Sequence, residues 1–480
     1  MSKQNLDYIF QPKSIAVIGV SNKQTTVPSE GQRCLKALLD YGFKGKVYPV
    51  NSKGGGGWGL KIYPNIKDIP EPVDHVISCV PASAALQLIK DCATKGVKAV
   101  QFFTSGFSEA GTEEGKQLES ELCLLAHQVG IRIIGPNSYG VYCPKGSLSF
   151  VDDFAKESGS VALICQSGGN ATYIVREVAK RGVRFSKAVS YGNAADIDEG
   201  NLLEYLATDP DTEIIIAYIE GVKNGKRFSQ ILKETARIKP VIVLKSGISE
   251  TGARTAASHT GSLSGSNKVW NGFLRQVGAI RVYSLEELID MAVTFSYLPP
   301  LSGNRVGILG MGGANSVLAA DDCTNAGLIV PRFSEIIREK IKNLIGTEAG
   351  TILGNPIDLS AEAFEAGYYN ILDILANYEG IDLSIVHFPI GPFPFPPSQN
   401  KMIWDFLLED VIKAHKELVK PLIVVIHIPS RSEDYEWMLE AQRKCSKAGI
   451  ATYHSISSAA KAMARFLHYQ ERKTMSENQS

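Results

Sequence analysis

Short apolar runs alternate with longer amphipathic stretches along nearly the whole chain. Near the N-terminus the runs fall at residues 14–19, 47–51, 75–80, 99–103 and 131–135, with helical patterns such as residues 84–96 between them. Continuous apolar runs of this length suit strands buried on both faces, and their alternation with helices predicts a parallel, doubly wound sheet. The rhythm continues with a strand before Gln166 and a helix that stops at Gly182, then strands at 186–192, 213–220 and 240–245. Residues 303–316 repeat the pattern of 159–172: a strand, a Gly-Gly pair, then a helix with Asn near its start. Lys239-Pro240 and the apolar run after it are echoed at Lys420-Pro421. Two copies of one α/β unit are therefore expected after a first, Rossmann-like one. The expected divisions are 1–145, 146–300 and 301–470, with a disordered polar tail over 471–480.

In such sheets ligands bind beyond the carboxyl ends of the strands. In the first segment those ends are small or polar: Gly19, Ser21 and Asn22; Val50, Asn51 and Lys53; Val80, Pro81 and Ser83; Thr104, Ser105 and Gly106; and Asn137. They line one crevice suited to a nucleotide. The residues after Gly19 do not form the dinucleotide fingerprint, and no acidic residue follows Val50 to hold a ribose. Lys53 stands there instead and favours a phosphorylated group. Residues 51–59, with four successive glycines, read as a flexible surface stretch.

The second segment carries the candidate chemistry. Ser167, Gly168, Gly169 and Asn170 form a tight turn into a helix, whose free N–H groups and dipole favour anions. Glu220 closes a buried strand on the same sheet edge. After the strand at 240–245 comes a sixteen-residue stretch, 251–266, made mostly of small residues, with His259 in it flanked by Ser258 and Thr260. Such a segment builds no core, and small residues allow close approach to the ring. His259 is the candidate nucleophile for a phosphoryl group, Ser258 a donor to the anion, and Glu220 the carboxylate that fixes the ring tautomer. The third segment has no counterpart of this loop. Its loop at 389–397, rich in Pro and Phe, reads as a surface insertion.

Composition narrows the function classes. The 480 residues carry 50 basic and 50 acidic side chains, so no electrostatic footprint for nucleic acid is expected. No apolar run is long enough to span a bilayer, so no membrane partner is expected. The eight cysteines lack Cys-x-x-Cys spacing and the eight histidines lack metal spacing. They point to reduced thiols, a cytoplasmic location and no metal on this chain.

Together these motifs resemble the α part of the ADP-forming (NDP-forming) acyl-CoA synthetases, relatives of succinyl-CoA synthetase, over about residues 8–470. Ser258 to Gly261 is similar to the family's phosphohistidine loop, Gln166 to Gly169 to its phosphate-binding helix start, and Tyr218 to Gly221 to its carboxylate strand. Gly192 to Asp196, Gly135 to Asn137 and the strand ends of the first segment also fit. Ser138 departs from the family's usual Cys, and the loop after Ser21 lacks an early Gly.

The resemblance implies a CoA-binding Rossmann-like domain followed by two flavodoxin-like ligase domains. It also implies interconversion of acyl-CoA, phosphate and ADP with carboxylic acid, CoA and ATP through an acyl phosphate and phospho-His259. No ATP-grasp segment is visible, so ADP/ATP and Mg²⁺ would sit on a separate ATP-grasp β subunit, in a heterotetramer. The competing readings are a non-catalytic CoA or acyl-CoA sensor, a nucleotide-independent CoA transferase or lyase relative, and a Rossmann dehydrogenase.

Overall fold

A computed structural model describes residues 5–22, 26–249, 251–252, 266–346, 351–359, 366–389 and 397–477. Ser258, His259 and most of the 389–397 loop lie outside them. The chain divides into two compact units, one of Met1–Ala179 with Arg184–Leu288, the other of Lys180–Val183 with Ile289–Ser480.

The first unit holds two sheets. Strands β1 (Ser14–Ile18) and β2 (Lys46–Val50) are followed by a hairpin of β3 (Gly55–Gly57) and β4 (Leu60–Ile62), then β5 (His75–Ser78), β6 (Ala99–Phe102) and β7 (Arg132–Ile134). The first sheet runs β2-β1-β5-β6-β7, all parallel. Along β1, Ile15 and Val17 enter one apolar core while Ala16 and Ile18 enter another. That is why the strand reads as an unbroken apolar run.

The second sheet takes β8 (Gly140–Tyr142), β9 (Val161–Cys165), β10 (Phe185–Ser190), β11 (Ile214–Ile219), β12 (Val241–Lys245) and β13 (Ile280–Val282). Its order is β13-β12-β11-β9-β10-β8, with only the β8 edge antiparallel. One core joins the two sheets, running from Ile15 and Val17 to Ile164, Val189 and Ile215.

The second unit holds β14 (Val306–Gly310), β15 (Ile357–Asp358), β16 (Leu383–Phe388), β17 (Leu422–Ile426) and β18 (Thr452–Tyr453) in the order β15-β14-β16-β17-β18. Numbered by appearance, the parallel strands of all three sheets follow one order, 2-1-3-4-5. This is the flavodoxin-like doubly wound order, which puts a topological switch point beside the first strand.

Two expectations change. The glycine run is not a loose loop: Gly55, Gly56 and Gly57 pair with Ile62, Lys61 and Leu60, and Ile62 is buried. Backbone pairing does not need side chains, and Ile62 supplies the apolar anchor. The expected disordered tail is helical as far as Glu477, within a helix of Ile456–Glu477. Residues 471–477 contain neither Gly nor Pro, and Thr474 bonds back to the Gln470 carbonyl at 3.1 Å. All eight cysteines are free thiols. Among the described residues no group of three potential ligands could hold a metal, and no helix is long and apolar enough to cross a membrane.

Candidate active site

The first crevice opens at the β1/β5 switch point. Gly19 takes φ +94°, and a Cβ there would lie 2.8 Å from the Cys79 carbonyl oxygen. The helix Glu30–Tyr41 begins against the same turn, since a Cβ on Gly31 would lie 2.4 Å from the Gly19 carbonyl. Ser29 caps that helix in a capping box with Gln32, whose Nε2 also donates to the Ser21 carbonyl at 2.9 Å.

Asn51 Nδ2 donates to Val20 O at 2.7 Å, and its Oδ1 accepts from Lys53 N at 2.9 Å. Asn22 Nδ2 donates to Gly54 O at 2.5 Å. On the other side, Thr104 Oγ1 donates to Val80 O at 2.5 Å, and Asn137 N donates to Thr104 O at 2.9 Å. The structure therefore gathers Gly19, Ser21, Asn22, Val50, Asn51, Val80, Thr104 and Asn137 along one edge. Lys53, Pro81, Ser83, Ser105 and Gly106 stand exposed at its rim.

The second crevice lies at the β9/β11 switch point. Gln166 follows β9 and holds the end of β11. Its Oε1 accepts from Glu220 N and from Gly221 N at 2.9 Å, and its Nε2 donates to Gly221 O at 3.1 Å. Glu220, 7% exposed, is thus fixed beside the turn Ser167-Gly168-Gly169-Asn170. The helix Gly168–Lys180 starts there, and Ser167 Oγ accepts from Asn170 N at 3.3 Å. A Cβ on Gly169 would meet nothing within 4 Å, so the helix N-terminus opens to an approaching anion. Cys165, behind this turn, is wholly buried, and burial pushes its thiol pKa well up.

Aromatic side chains join the two crevices. Tyr139 stacks on Phe103 with centroids 5.2 Å apart, and Phe103 directly precedes Thr104. Tyr139 also lies against the phosphate-type turn, because a Cβ on Gly168 would lie 2.6 Å from its ring. The seam is tightened by Asn193, whose N donates to Pro136 O at 3.0 Å and whose Nδ2 donates to Glu119 Oε2 at 2.9 Å. Asn137, at φ +56°, sits in this seam, and Gly192 leaves no room for a Cβ against Pro136 O. Ser138 is buried and donates to Phe102 O at 3.2 Å.

Lys245, at the end of β12, is 1% exposed. Its ammonium donates to Glu220 O at 2.7 Å and to Ser246 O. Burial, with Arg281 next, pushes its pKa down to about 8. The sequence names Gln166 only as the first residue of the phosphate-binding helix start, and does not single out Lys245, Tyr139 or Phe103 as functional residues. The available signal was a charged or amide residue closing an otherwise apolar strand run. The segment that holds Ser258 and His259 leaves after Gly252 and returns at Ser266, which precedes the helix Asn267–Val277. Among the described residues the matching strand end of the third sheet carries no carboxylate: Pro389 follows β16, whereas Glu220 follows β11.

Residues 13–144 match the CoA binding domain family, and residues 158–295 the succinyl-CoA ligase like flavodoxin domain family. The chain is 37% identical over 466 residues to the acetate–CoA ligase [ADP-forming] II subunit alpha of Pyrococcus furiosus, covering 96% of this chain and 97% of that one. The chain belongs to the α-subunit family of the ADP-forming acyl-CoA ligases. As a member of these acid–thiol ligases it is also 39% identical to the acetate–CoA ligase [ADP-forming] of Methanocaldococcus jannaschii. That match covers 75% of this chain but 49% of the relative. Among solved structures, this ligase chain resembles the dinucleotide forming acetyl-coenzyme A synthetase 1 of Ca. Korarchaeum cryptofilum in complex with phosphate and ADP. The TM-score is 0.82 and the identity 31%, with 98% of each chain covered.

Proposed function

We propose that this ligase chain converts acyl-CoA and phosphate to a carboxylic acid, CoA and a phosphoryl group carried on His259, which then passes to ADP on a separate ATP-grasp chain. Phosphate oxygen attacks the thioester carbonyl carbon, the C–S bond breaks, and acyl phosphate and CoA thiol result. The imidazole of His259 attacks phosphorus and the carboxylate leaves. A β-phosphate oxygen of ADP then takes the phosphoryl group and gives ATP. The carrying observation is that Glu220 and the open helix N-terminus at Gly169 flank one switch point. In sequence, His259 follows β12, the strand that neighbours β11 in the sheet.

In this reading Ser167, Gly168, Gly169, Asn170 and Ser258 hold phosphate, and Glu220 holds one ring nitrogen of His259 so that the other attacks. Gly19, Ser21, Asn22, Val50, Asn51, Lys53, Val80, Pro81, Ser83, Thr104, Ser105, Gly106 and Asn137 receive CoA. The Phe103–Tyr139 stack supports this assignment, since it joins the first crevice beside Thr104 to the phosphate turn.

The functional divisions proposed are 1–145, 146–300 and 301–470. A single-chain relative of about twice the covered length supports placing ADP and Mg²⁺ on a separate chain. An α₂β₂ assembly and a cytoplasmic location complete the reading. Acetate, named in the relatives, is the first acid to test.

The test is ATP formation from acetyl-CoA, phosphate and ADP by the full chain mixed with an ATP-grasp chain and Mg²⁺. ATP dependent on both chains and abolished by His259→Ala is expected. CoA binding without turnover across a panel of acyl-CoAs would favour a CoA-binding protein without this chemistry. Turnover without nucleotide would favour a transferase or lyase.

A further inference from the structure

Strands β11 and β12 lie side by side with Ile219 opposite Lys245, and their last backbone bond runs from Ser246 N to Ile219 O at 3.0 Å. Beyond that bond the two strand ends part. One becomes Glu220, and the other becomes the origin of the segment that carries His259. At this fork the side chains of Tyr218, which bonds Ser246, and of Lys245 cross between them. The Lys245 ammonium donates to the carbonyl oxygen of Glu220 at 2.7 Å and to that of Ser246.

A lysine in this position is costly. It is 1% exposed, and the charged groups that face it are Arg281, on β13, and Glu220. The helix Asn267–Val277 covers it with the ring of Trp270, whose centroid lies 5.3 Å from Nζ. Burying an ammonium is unfavourable unless its donors are satisfied. A Met or Leu would fill the same apolar space without that cost. What the ammonium supplies and they do not is a charge-assisted bond to each of two backbones.

We infer that Lys245 is a positioning residue, clamping the strand end that carries Glu220 to the root of the segment that carries His259. The inference rests on the proposed phosphohistidine chemistry. Lys245 touches neither phosphate nor imidazole in this scheme. It sets the register between the carboxylate and the loop that must bring the ring to it. The clamp weakens when the ammonium loses its proton, because a neutral amine is a poorer donor.

The test uses the full-length chain, acetyl-CoA and radiolabelled phosphate, and follows acid-labile label on His259 against time and pH. Lys245→Met is expected to slow labelling about 10- to 100-fold, the scale of a small misplacement of reacting groups. Lys245→Arg keeps a donor that stays charged, and is expected to recover most of the rate at neutral pH. Wild-type labelling should fall as the pH rises past about 8, where the ammonium titrates, and Lys245→Arg should hold its rate there. A purely structural lysine would not move this pH profile.

Should Lys245→Met fail to fold, the comparison of Lys245→Arg with wild type decides alone. Either a wild-type rate in Lys245→Met or a Lys245→Arg profile that falls in step with wild type overturns the inference while leaving the phosphohistidine reading intact. A wild-type protein that takes no phosphoryl group on His259 with any acyl-CoA, even with an ATP-grasp chain and ATP supplied, overturns both.

Discussion

Glu220 and Gln166 act as a pair. The Gln166 side-chain amide meets three backbone groups at the end of β11, so its removal leaves buried donors and an acceptor without their partner. Gln166→Ala should destabilise the protein by roughly 1–3 kcal/mol, read by chemical denaturation, and also slow labelling of His259. Glu220→Gln keeps shape and volume but removes the carboxylate charge. It should leave the melting temperature nearly unchanged while slowing labelling roughly 100-fold, the size of a lost acid–base partner.

Lys245 makes a separate prediction about stability. Its folded-state pKa of about 8 lies below that of free lysine, so the folded chain gives up the proton first. Between those two values the unfolded chain binds more protons, and stability rises with pH. The stability of wild type relative to Lys245→Met should therefore increase from pH 8 towards pH 10, measured by paired denaturation curves. A constant difference would contradict it. Glu220 was legible in the sequence because a carboxylate closed an apolar run. Gln166 opens the phosphate-turn motif and Lys245 carries no motif weight, and the role of each depends on which strand end its side chain reaches.

The helix Gly168–Lys180 separates packing from function at two adjacent glycines. At Gly168 a Cβ would strike the Tyr139 ring, whereas at Gly169 it would project into open space. Gly169→Ala should fold as well as wild type, yet raise the KM for phosphate, because the added methyl stands where the anion approaches. Gly168→Ala should displace Tyr139 from Phe103 and impair CoA-dependent steps as well. Steady-state kinetics in both substrates would distinguish the two variants. Strand–turn–helix order was readable here from the apolar run and the Gly-Gly pair.

The glycine hairpin β3–β4 was not readable, because glycines carry no side-chain pattern and the pairing is set by Ile62 and the neighbouring backbone. The helical end at 471–477 is polar throughout apart from Met475, so polarity alone points away from it. A polar run without Gly or Pro extends a preceding helix at little cost.

Three sheets share one strand order, and that regularity explains why the architecture was legible: nearly every central strand is buried on both faces and therefore reads as an apolar run. The seam between the first two sheets was not legible. Tyr139 against Gly168 and Asn193 against Pro136 join residues from different domains, and no spacing in the sequence announces them. At this level the account predicts a division of labour. The chain alone should complete the steps up to phosphohistidine but make no ATP from ADP, and ATP should appear on addition of an ATP-grasp chain.

The central claim is that His259 carries a phosphoryl group derived from phosphate at the expense of an acyl-CoA. The most direct measurement is mass spectrometry of the full-length chain after incubation with phosphate and acetyl-CoA or other acyl-CoAs, without nucleotide, with His259→Ala alongside. The account predicts one added phosphoryl group on His259, labile to acid, dependent on a particular acyl-CoA and absent from His259→Ala. No phosphoryl group on His259 with any acyl-CoA, even with an ATP-grasp chain and ATP supplied, would contradict it.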